Sequence, residues 1–251
     1  RKLYSEIRVA QLAGYVSEHA SYHHGETSLQ GAIINMAQNF VGSNNINLLQ
    51  PNGQFGTRIM GGMDSASPRY IHTELNPIVD LIFPKADFNL LDYINDDGII
   101  VEPEYYVPII PMVLVNGMIG IGTGFSTTIP QFNPIDIINN IKQKITTNTY
   151  KPMNLYYNNF KGKIIKKENQ FLTKGIYSID YKKSKITITE LPIGKWTDDY
   201  ISFLQNLILS EKDDFLIDYE NHSNDKEINI ICTVSDEFLY DHSVYKIKDN
   251  I

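Results

Sequence analysis

Residues 5–42 read SEIRVAQLAGYVSEHASYHHGETSLQGAIINMAQNFVG and predict two helices joined by a short polar break. Apolar residues recur at close to the helical period in 5–21 and again after Thr27, which can cap the second helix before Gly42 ends it. Two helices around a short glycine-containing turn form a helix-turn-helix signature, in which the second helix can enter the major groove of DNA. The same hairpin is common in any helical core, so the pattern alone leaves the function open.

The size and composition of the chain indicate a folded globular protein. Its 251 residues correspond to one large domain or two small ones, and its 42% hydrophobic and 20% charged content disfavours disordered, collagenous and coiled-coil classes. Cys232, the lone cysteine, can form neither an internal disulfide nor a cysteine-based zinc site, and no basic-then-apolar leader stands at Arg1, so a secreted fold is disfavoured. Prolines and glycines interrupt the uncharged run 105–135 throughout, which favours buried strand and loop over a membrane span.

After the two helices the chain changes character twice. Residues 42–70 are rich in Gly, Asn, Ser and Gln, which predicts a long loop or winged hairpin, and such loops are usually functional. A short helix capped by Asn76 follows, and beyond a boundary near Ile129–Pro134 we predict an α+β unit distinct from the helical first half. Its predicted elements are a helix from Asn133 to Ile145, strands at 176–181 and 186–189, and a helix at 197–209, followed by short apolar runs at 215–219 and 228–234.

Charge is distributed unevenly along the chain. The net charge of -7 argues mildly against a simple nucleic-acid-binding module, because phosphate contacts need local positive charge. Residues 142–185, however, contain 11 lysines against only Glu168 and Asp180. This block is either a solvated lysine-rich surface or a face that follows a phosphate backbone, and composition does not decide between the two.

An arginine and a tyrosine stand side by side at the end of the glycine-rich loop. Arg69 and Tyr70 suit attack on a phosphodiester, in which the phenol is the nucleophile and the guanidinium stabilises charge on the phosphoryl oxygens. The product would be a phosphotyrosine, and because phenoxide is a good leaving group, a freed sugar hydroxyl could reverse the step. On these residues alone the plainer interpretation, a half-buried loop tyrosine beside a surface arginine, is favoured.

Other candidate residues carry weaker signals. The adjacent His23 and His24 could bind phosphate, assist proton transfer or ligate a metal, but they lack the helix-face spacing that a metal site of this kind needs. Gln54 and Arg58 could hold a DNA backbone or merely stabilise the loop. Ile121, flanked by glycines that lack the context of a dinucleotide site, is a DNA wedge if exposed and core if buried.

Several motifs in the first half of the chain point together to one family. They are VAQLAG (9–14), YHHGE (22–26), AQNFVGSNN (37–45), QFGTR (54–58), DSASPRY (64–70), VEPE (101–104) and PMVLVNGMIGIGTG (111–124). Taken together they resemble the DNA breakage-reunion core of the eukaryotic-type type IIA DNA topoisomerases. The resemblance is dense from about Val9 to Pro134, and beyond that only TELP (189–192) and Trp196-Thr197 are family-like.

The resemblance implies a role for each matching residue. Tyr70 would take the 5′ phosphate of a cut DNA strand, with Arg69 assisting at that phosphate and His23 and His24 beside it. Ile121 matches a wedge that kinks the bound duplex. Residues 1–130 would form a winged-helix DNA-cleavage domain and residues 131–251 a partial tower domain. The other implied DNA contacts are Gln54, Arg58, Lys161, Lys163, Lys166 and Lys167.

The resemblance also implies an activity and its requirements. Such an enzyme passes one DNA duplex through a transient double-strand break in another, held by 5′-phosphotyrosine links, and so relaxes and decatenates DNA. It needs ATP and Mg²⁺, which domains outside this segment would bind. ATPase and TOPRIM motifs are absent from the sequence, so we expect part of a larger homodimer, inactive alone, that binds double-stranded DNA and no membrane. It would act inside the cell, in the nucleus if cellular and in the host cytoplasm or nucleus if viral.

Several positions depart from the family pattern and indicate a divergent member, for instance one from a large DNA virus. Met63 stands where lysine is usual, Met118 and Ile119 where a small residue and an acid are usual, and Tyr105 and Phe125 where tryptophan is common. One alternative function is a catalytically inert winged-helix DNA-binding or architectural module, which the retention of Arg69 and Tyr70 opposes. Another is a protein-interaction domain, which fits the charge but leaves the motif match unexplained.

Overall fold

The computed structural model describes residues 5–20, 22–168, 170–210 and 215–235, and these form two compact units. The first unit is built from the chain up to Asn39, Ser43–Phe55 and Ser65–Tyr157. The second unit is built from Phe40–Gly42, Gly56–Asp64 and the chain from Asn158 onward. The main division between the units follows Tyr157, and both the boundary near Ile129–Pro134 and the named domains stay predictions.

Both units mix helices with short antiparallel strands, which confirms the predicted α+β class. The first contains β1 (Ile7–Arg8), α1 (Val9–His19), α2 (Glu26–Ala37), β2 (His72–Thr73), α3 (Val79–Ile82), a 3₁₀ helix (Lys85–Leu90), β3 (Tyr93–Asp96), β4 (Ile99–Pro103), α4 (Met112–Val115), β5 (Met118–Gly122), β6 (Phe125–Ile129) and α5 (Pro134–Thr147). The second contains β7 (Lys163–Lys167), β8 (Gln170–Lys174), β9 (Ile176–Asp180), β10 (Lys185–Glu190), α6 (Thr197–Leu209), β11 (Leu216–Asn221) and β12 (Ile230–Val234). The described helices are all too short or too polar to cross a lipid bilayer.

The two predicted N-terminal helices form the first hydrophobic core. α1 buries Val9, Leu12 and Ala13, because a spacing of three to four residues places them on one face of the helix. α2 adds Ile33 and Ala37 to the same cluster. The predicted pair of helices is therefore confirmed.

The start of α2 differs from the prediction. The helix begins at Glu26 after Gly25 (φ -60°, ψ 140°), which has no side chain that could cap it, and Thr27 lies inside the helix, so the predicted cap at Thr27 is wrong. Glu26 instead places a carboxylate in the first turn, where the helix dipole favours negative charge. α1 ends at His19, and Ser21, its predicted last residue, lies outside the described part of the chain.

The end of α2 is also earlier than predicted, at Ala37 rather than before Gly42. Gln38 leaves the helix with an extended backbone (ψ 136°), and its side-chain amide donates to the Phe55 carbonyl at 2.9 Å. This buried amide holds Phe55 in the middle of the segment 42–70, which is irregular as predicted apart from isolated bridges.

Two further helix starts test the capping predictions. Asn133 accepts a hydrogen bond from Ile135 N at 2.9 Å and Pro134 opens α5, so this start is confirmed. The sequence predicts that Asn76 caps a helix directly, but α3 follows Ile78, and the Asn76 side chain closes the preceding turn by accepting from Ile78 N at 3.2 Å.

The uncharged run 105–135 is not buried strand as expected. Its two strands, β5 and β6, form a hairpin whose apolar side chains face solvent: Ile119 is 78% exposed, Ile121 87% and Phe125 83%. Only the flanking parts reach a core, where Val115 of α4 packs with Ile137 of α5. The prediction of burial is wrong here because uncharged composition does not distinguish an apolar strand in the core from an apolar strand exposed to solvent.

The second unit folds around a four-stranded antiparallel sheet in the order β11-β12-β10-β9. Alternate residues of β10 and β12, including Ile186, Ile188 and Cys232, are buried together with Leu204 of α6. Burial raises the pKa of the Cys232 thiol to about 12, so this side chain behaves as a small apolar group. The predicted helix at 197–209 and the two predicted strands are present, and the short apolar runs at 215–219 and 228–234 correspond to β11 and β12 with shifted ends.

Candidate functional site

Tyr70 lies in a turn whose backbone is fixed from both sides. The first N–H groups of α1, those of Val9 and Ala10, donate to the Ile71 carbonyl at 3.0 Å and to the Pro68 carbonyl at 3.1 Å. N–H groups in the first turn of a helix have no acceptor within the helix. The turn supplies those acceptors and is held by them, and β2 begins directly after it in a pair with β1.

The side chain of Tyr70 is presented to solvent. It is 67% exposed, and the Arg69 guanidinium carbon lies 4.8 Å from the centre of its ring. A cation at this distance is attracted to the ring face. The turn therefore combines a fixed backbone with an accessible phenol and an adjacent positive charge, and Tyr70 is not the half-buried loop tyrosine of the plainer interpretation.

The two predicted histidines lie in the break between α1 and α2, and both are exposed. His23 Nε2 is 3.9 Å from an Asp96 carboxylate oxygen, and the His24 ring meets the Tyr22 ring edge-on with centroids 5.5 Å apart. Asp96 was not predicted as a partner. Within the described ranges, no three His, Cys, Asp or Glu side chains are grouped so as to hold a metal ion.

The two loop residues predicted to contact DNA have opposite environments. Gln54 is exposed, and its carbonyl accepts from Ala66 N at 2.9 Å. The Arg58 side chain is only 7% exposed and forms an ion pair with the Glu190 carboxylate, which is 1% exposed. The positive charge of Arg58 is therefore paired with the buried Glu190 carboxylate.

The β5–β6 hairpin displays Ile121 rather than burying it. Ile121 pairs with Ser126 and Ile119 with Thr128 across the hairpin, so these four side chains share one face. The sequence left open whether Ile121 is exposed or buried in the core, and the structure shows that it is exposed. Ile119 extends the same apolar face and was not predicted as part of it.

The lysines of the β7–β8 hairpin divide between its two faces. Lys163 and Lys167 share an exposed face with Lys174, which lies directly opposite Lys163. Lys166 is on the other face, 5.9 Å from the Phe171 ring. A like-charged pair directly across two strands is destabilising by itself, and a bound anion would offset this repulsion.

Lys161, just before β7, is held within the second unit. Its Nζ is 3.6 Å from a Glu227 carboxylate oxygen and its backbone N–H donates to Glu190 at 3.2 Å. Of the four lysines predicted to contact DNA, Lys163 and Lys167 therefore combine exposure with a shared face.

Comparison with known proteins gives the family. The family model of the DNA gyrase/topoisomerase IV A subunit matches residues 1–249. The chain belongs to this family. Among relatives, DNA topoisomerase 2 of Pisum sativum is 49% identical over 253 residues, covering 96% of this chain and 17% of that protein. DNA topoisomerase 2-alpha of Gallus gallus is 48% identical over 256 residues, covering 98% of this chain and 16% of that protein.

A solved structure supports the same placement within the gyrase/topoisomerase IV family. The chain resembles the DNA-binding, cleavage and re-ligation domain of Plasmodium falciparum topoisomerase II with a TM-score of 0.94 and 46% identity. The match covers 98% of this chain and 34% of that one. The resemblance to eukaryotic-type type IIA topoisomerases inferred from the motifs is confirmed, and the chain spans about a sixth of the two relatives above.

Three features of this family member escaped sequence analysis for identifiable reasons. Lys174 and Ile119 belong to exposed faces that appear only once the register of each hairpin is known. The alternation of exposed and partly buried residues in β8 could have placed Lys174 on an exposed face. In β7, however, lysines lie on both faces, so no such pattern stood out. Asp96 is far from His23 along the chain, and no local pattern connects them.

Proposed function

We propose that Tyr70 is the nucleophile of a DNA strand-cleavage reaction. The observation that carries this proposal is the turn itself, which holds an exposed phenol beside the Arg69 guanidinium in a chain of a topoisomerase family. A fixed backbone limits where the phenol oxygen can go, and an exposed side chain leaves room for a duplex. Both properties favour attack on a large external substrate.

In the proposed step the Tyr70 phenol oxygen attacks a phosphorus atom of the DNA backbone. The phenol loses its proton, an oxygen–phosphorus bond forms, the bond from phosphorus to the 3′ oxygen breaks, and that oxygen takes up a proton. The products are a 5′-phosphotyrosine and a 3′ hydroxyl, whose return attack reseals the strand. Arg69 offsets the negative charge on the phosphoryl oxygens, and His23 and His24 donate hydrogen bonds to the same phosphate.

DNA contacts outside the reacting phosphate are proposed on two surfaces. The exposed Ile121 would insert between base pairs and kink the duplex, which is how apolar wedges act in architectural DNA-binding proteins. Lys163 and Lys167 would neutralise phosphates, and Lys161 and Lys166 in the same segment would contribute less to DNA binding. Gln54, exposed in the loop that leads to Tyr70, would contact the DNA backbone.

We assign residues 1–130 to a winged-helix cleavage domain and residues 131–251 to the start of a tower domain. The packed helices α1 and α2 with the β1–β2 pair support the first assignment, and the antiparallel sheet with α6 supports the second. In the whole protein we propose a homodimer, so that two Tyr70 residues cut both strands of one duplex and a second duplex passes through the break. Mg²⁺ and ATP would be bound by other domains, and the enzyme would act inside the cell.

The test uses the complete polypeptide with supercoiled DNA and Mg²⁺. After a detergent quench and digestion of protein and DNA, mass spectrometry should find a nucleotide attached to Tyr70. Tyr70→Phe removes the attacking oxygen and should abolish both the adduct and relaxation while DNA affinity stays largely unchanged. Tyr105→Phe is a matched control, because Tyr105 is 65% exposed in the same unit, and it should cleave normally.

The outcomes separate the candidate functions. Relaxation by the Tyr70→Phe enzyme would contradict the proposed nucleophile. Salt-dependent DNA binding with no adduct on any tyrosine would instead favour the inert winged-helix module, and absence of DNA binding would favour a protein-interaction domain.

A further inference from the structure

The loop that leads to Tyr70 leaves the first unit and returns to it. Gly56–Asp64 belongs to the second unit, whereas the flanking segments Ser43–Phe55 and Ser65–Tyr157 belong to the first. Tyr70 therefore follows, within a few residues, a loop that packs with the second unit. We call Gly56–Asp64 the crossing loop.

The crossing loop is anchored by a buried ion pair. The Arg58 guanidinium donates to the Glu190 carboxylate, which also accepts from Leu191 N at 3.0 Å and from Lys161 N at 3.2 Å. Three donors from three parts of the chain thus converge on one carboxylate. Truncating one partner of such a pair leaves a buried charge without its counter-ion, so each partner holds the other in place.

The loop backbone is held by the same unit. Thr197 N and Asp198 N, in the first turn of α6, donate to the Arg58 carbonyl at 3.4 Å and the Ile59 carbonyl at 3.0 Å. α6 lacks a side-chain cap, so the crossing loop serves as its cap. The ion pair holds Arg58, and the two hydrogen bonds hold Arg58 and its neighbour Ile59.

The loop also closes on itself just before the segment that carries the nucleophile. Thr57 N and Thr57 Oγ1 donate to the two Asp64 carboxylate oxygens at 2.8 and 2.6 Å. Directly after the loop, Ala66 N donates to Gln54 O at 2.9 Å. Ser65–Tyr70 therefore begins in the chain directly beside these two hydrogen-bonded closures.

We propose that Arg58 and Glu190 are positioning residues for Tyr70: their ion pair fixes the crossing loop and, through the chain, the register of the turn that presents the phenol. This inference rests on the proposed cleavage function. It assigns Arg58 a role inside the protein in place of the predicted phosphate contact. Since misplacement of a nucleophile by about 1 Å can cost about 100-fold in rate, the pair should affect cleavage far more than DNA binding.

The experiment measures two quantities on the complete enzyme, the rate of adduct formation on Tyr70 and the salt dependence of DNA binding. Glu190→Gln removes the charge and keeps the shape of the side chain, but it leaves one acceptor oxygen for Lys161 N and Leu191 N, which donate to different oxygens of the carboxylate. Both Glu190→Gln and Arg58→Ala should slow adduct formation by about 10- to 100-fold. The salt slope, that is, the slope of log DNA affinity against log salt concentration, should stay unchanged. Arg58→Lys should recover part of the rate, and the double variant should lose little more than either single one. Lys85→Ala, which removes an exposed ion pair with Asp80, should cleave like the wild type.

Several results would overturn the inference. One is a fall of about 0.9 in the salt slope for Arg58→Ala with normal cleavage by Glu190→Gln, because that pattern marks a direct phosphate contact. Another is wild-type adduct formation in both variants. If Arg58→Ala fails to fold, by circular dichroism, Glu190→Gln and Arg58→Lys decide by the same readouts. A wild-type enzyme that binds DNA but forms no adduct on Tyr70 would overturn the proposed function itself, and the inference with it.

Discussion

At the scale of single residues, Gly61 shows why the approach to Tyr70 is rich in glycine. Its φ is +62°, and a Cβ atom there would overlap the Trp196 indole. Gly61→Ala should therefore destabilise the protein by at least about 1 kcal/mol from the backbone alone, with the clash in addition. Urea unfolding monitored by circular dichroism measures the change.

Gly31 in α2 is the matched control for Gly61. Nothing lies within 4 Å of the position its Cβ would take, and its backbone is helical. Gly31→Ala should stabilise the protein by about 0.5–1 kcal/mol. Equal effects of the two substitutions would contradict the packing of Trp196 on Gly61.

At the scale of one element, α5 depends on the cap at its start. Asn133→Ala removes the acceptor for Ile135 N and should cost about 1 kcal/mol of stability. Asn139→Ala makes the same chemical change at an exposed position inside this helix, where alanine is the better helix former, and should stabilise the protein by about 0.5 kcal/mol. Thermal unfolding compares the two, and a cost at Asn139 as large as at Asn133 would argue against a specific capping role.

At the scale of the whole molecule, charge is segregated although the net charge is -7. Lys163, Lys167 and Lys174 share one exposed face, and replacing all three by glutamine should flatten the plot of log affinity against log salt. The slope should fall by about 0.9 for each DNA phosphate that the variant no longer neutralises. Without DNA the triple variant should be no less stable than the wild type, because the Lys163–Lys174 repulsion is removed.

Lys166, on the opposite face of the same strand, is the control for the lysine face. Lys166→Gln should change the salt slope less than replacement of Lys163 alone, in fluorescence-anisotropy titrations over a range of salt. Equal losses for Lys163 and Lys166 would show that DNA senses only the total charge of the hairpin.

Much of the fold was accessible from short-range patterns. α1 was predicted from its apolar spacing and α5 from its Asn133-Pro134 start, because these signals lie within a few residues of one another. The strand around Ile186 was predicted for the same reason, since its alternation is local. The motif that ends in Arg69 and Tyr70 also identified the candidate nucleophile.

Long-range partners came only from the folded chain. Glu190 stands 132 residues beyond Arg58, and no local pattern indicated that the two form a buried ion pair. The exposure of Ile121 and the shared face of Lys163 and Lys174 depend on strand register and on which side of a hairpin meets a core. Composition and spacing determine which helices and strands form, because capping and hydrophobic periodicity depend on residues that are near neighbours along the chain. Packing determines which side chains face solvent and which are paired, because burial and charge pairing join residues that are distant along the chain.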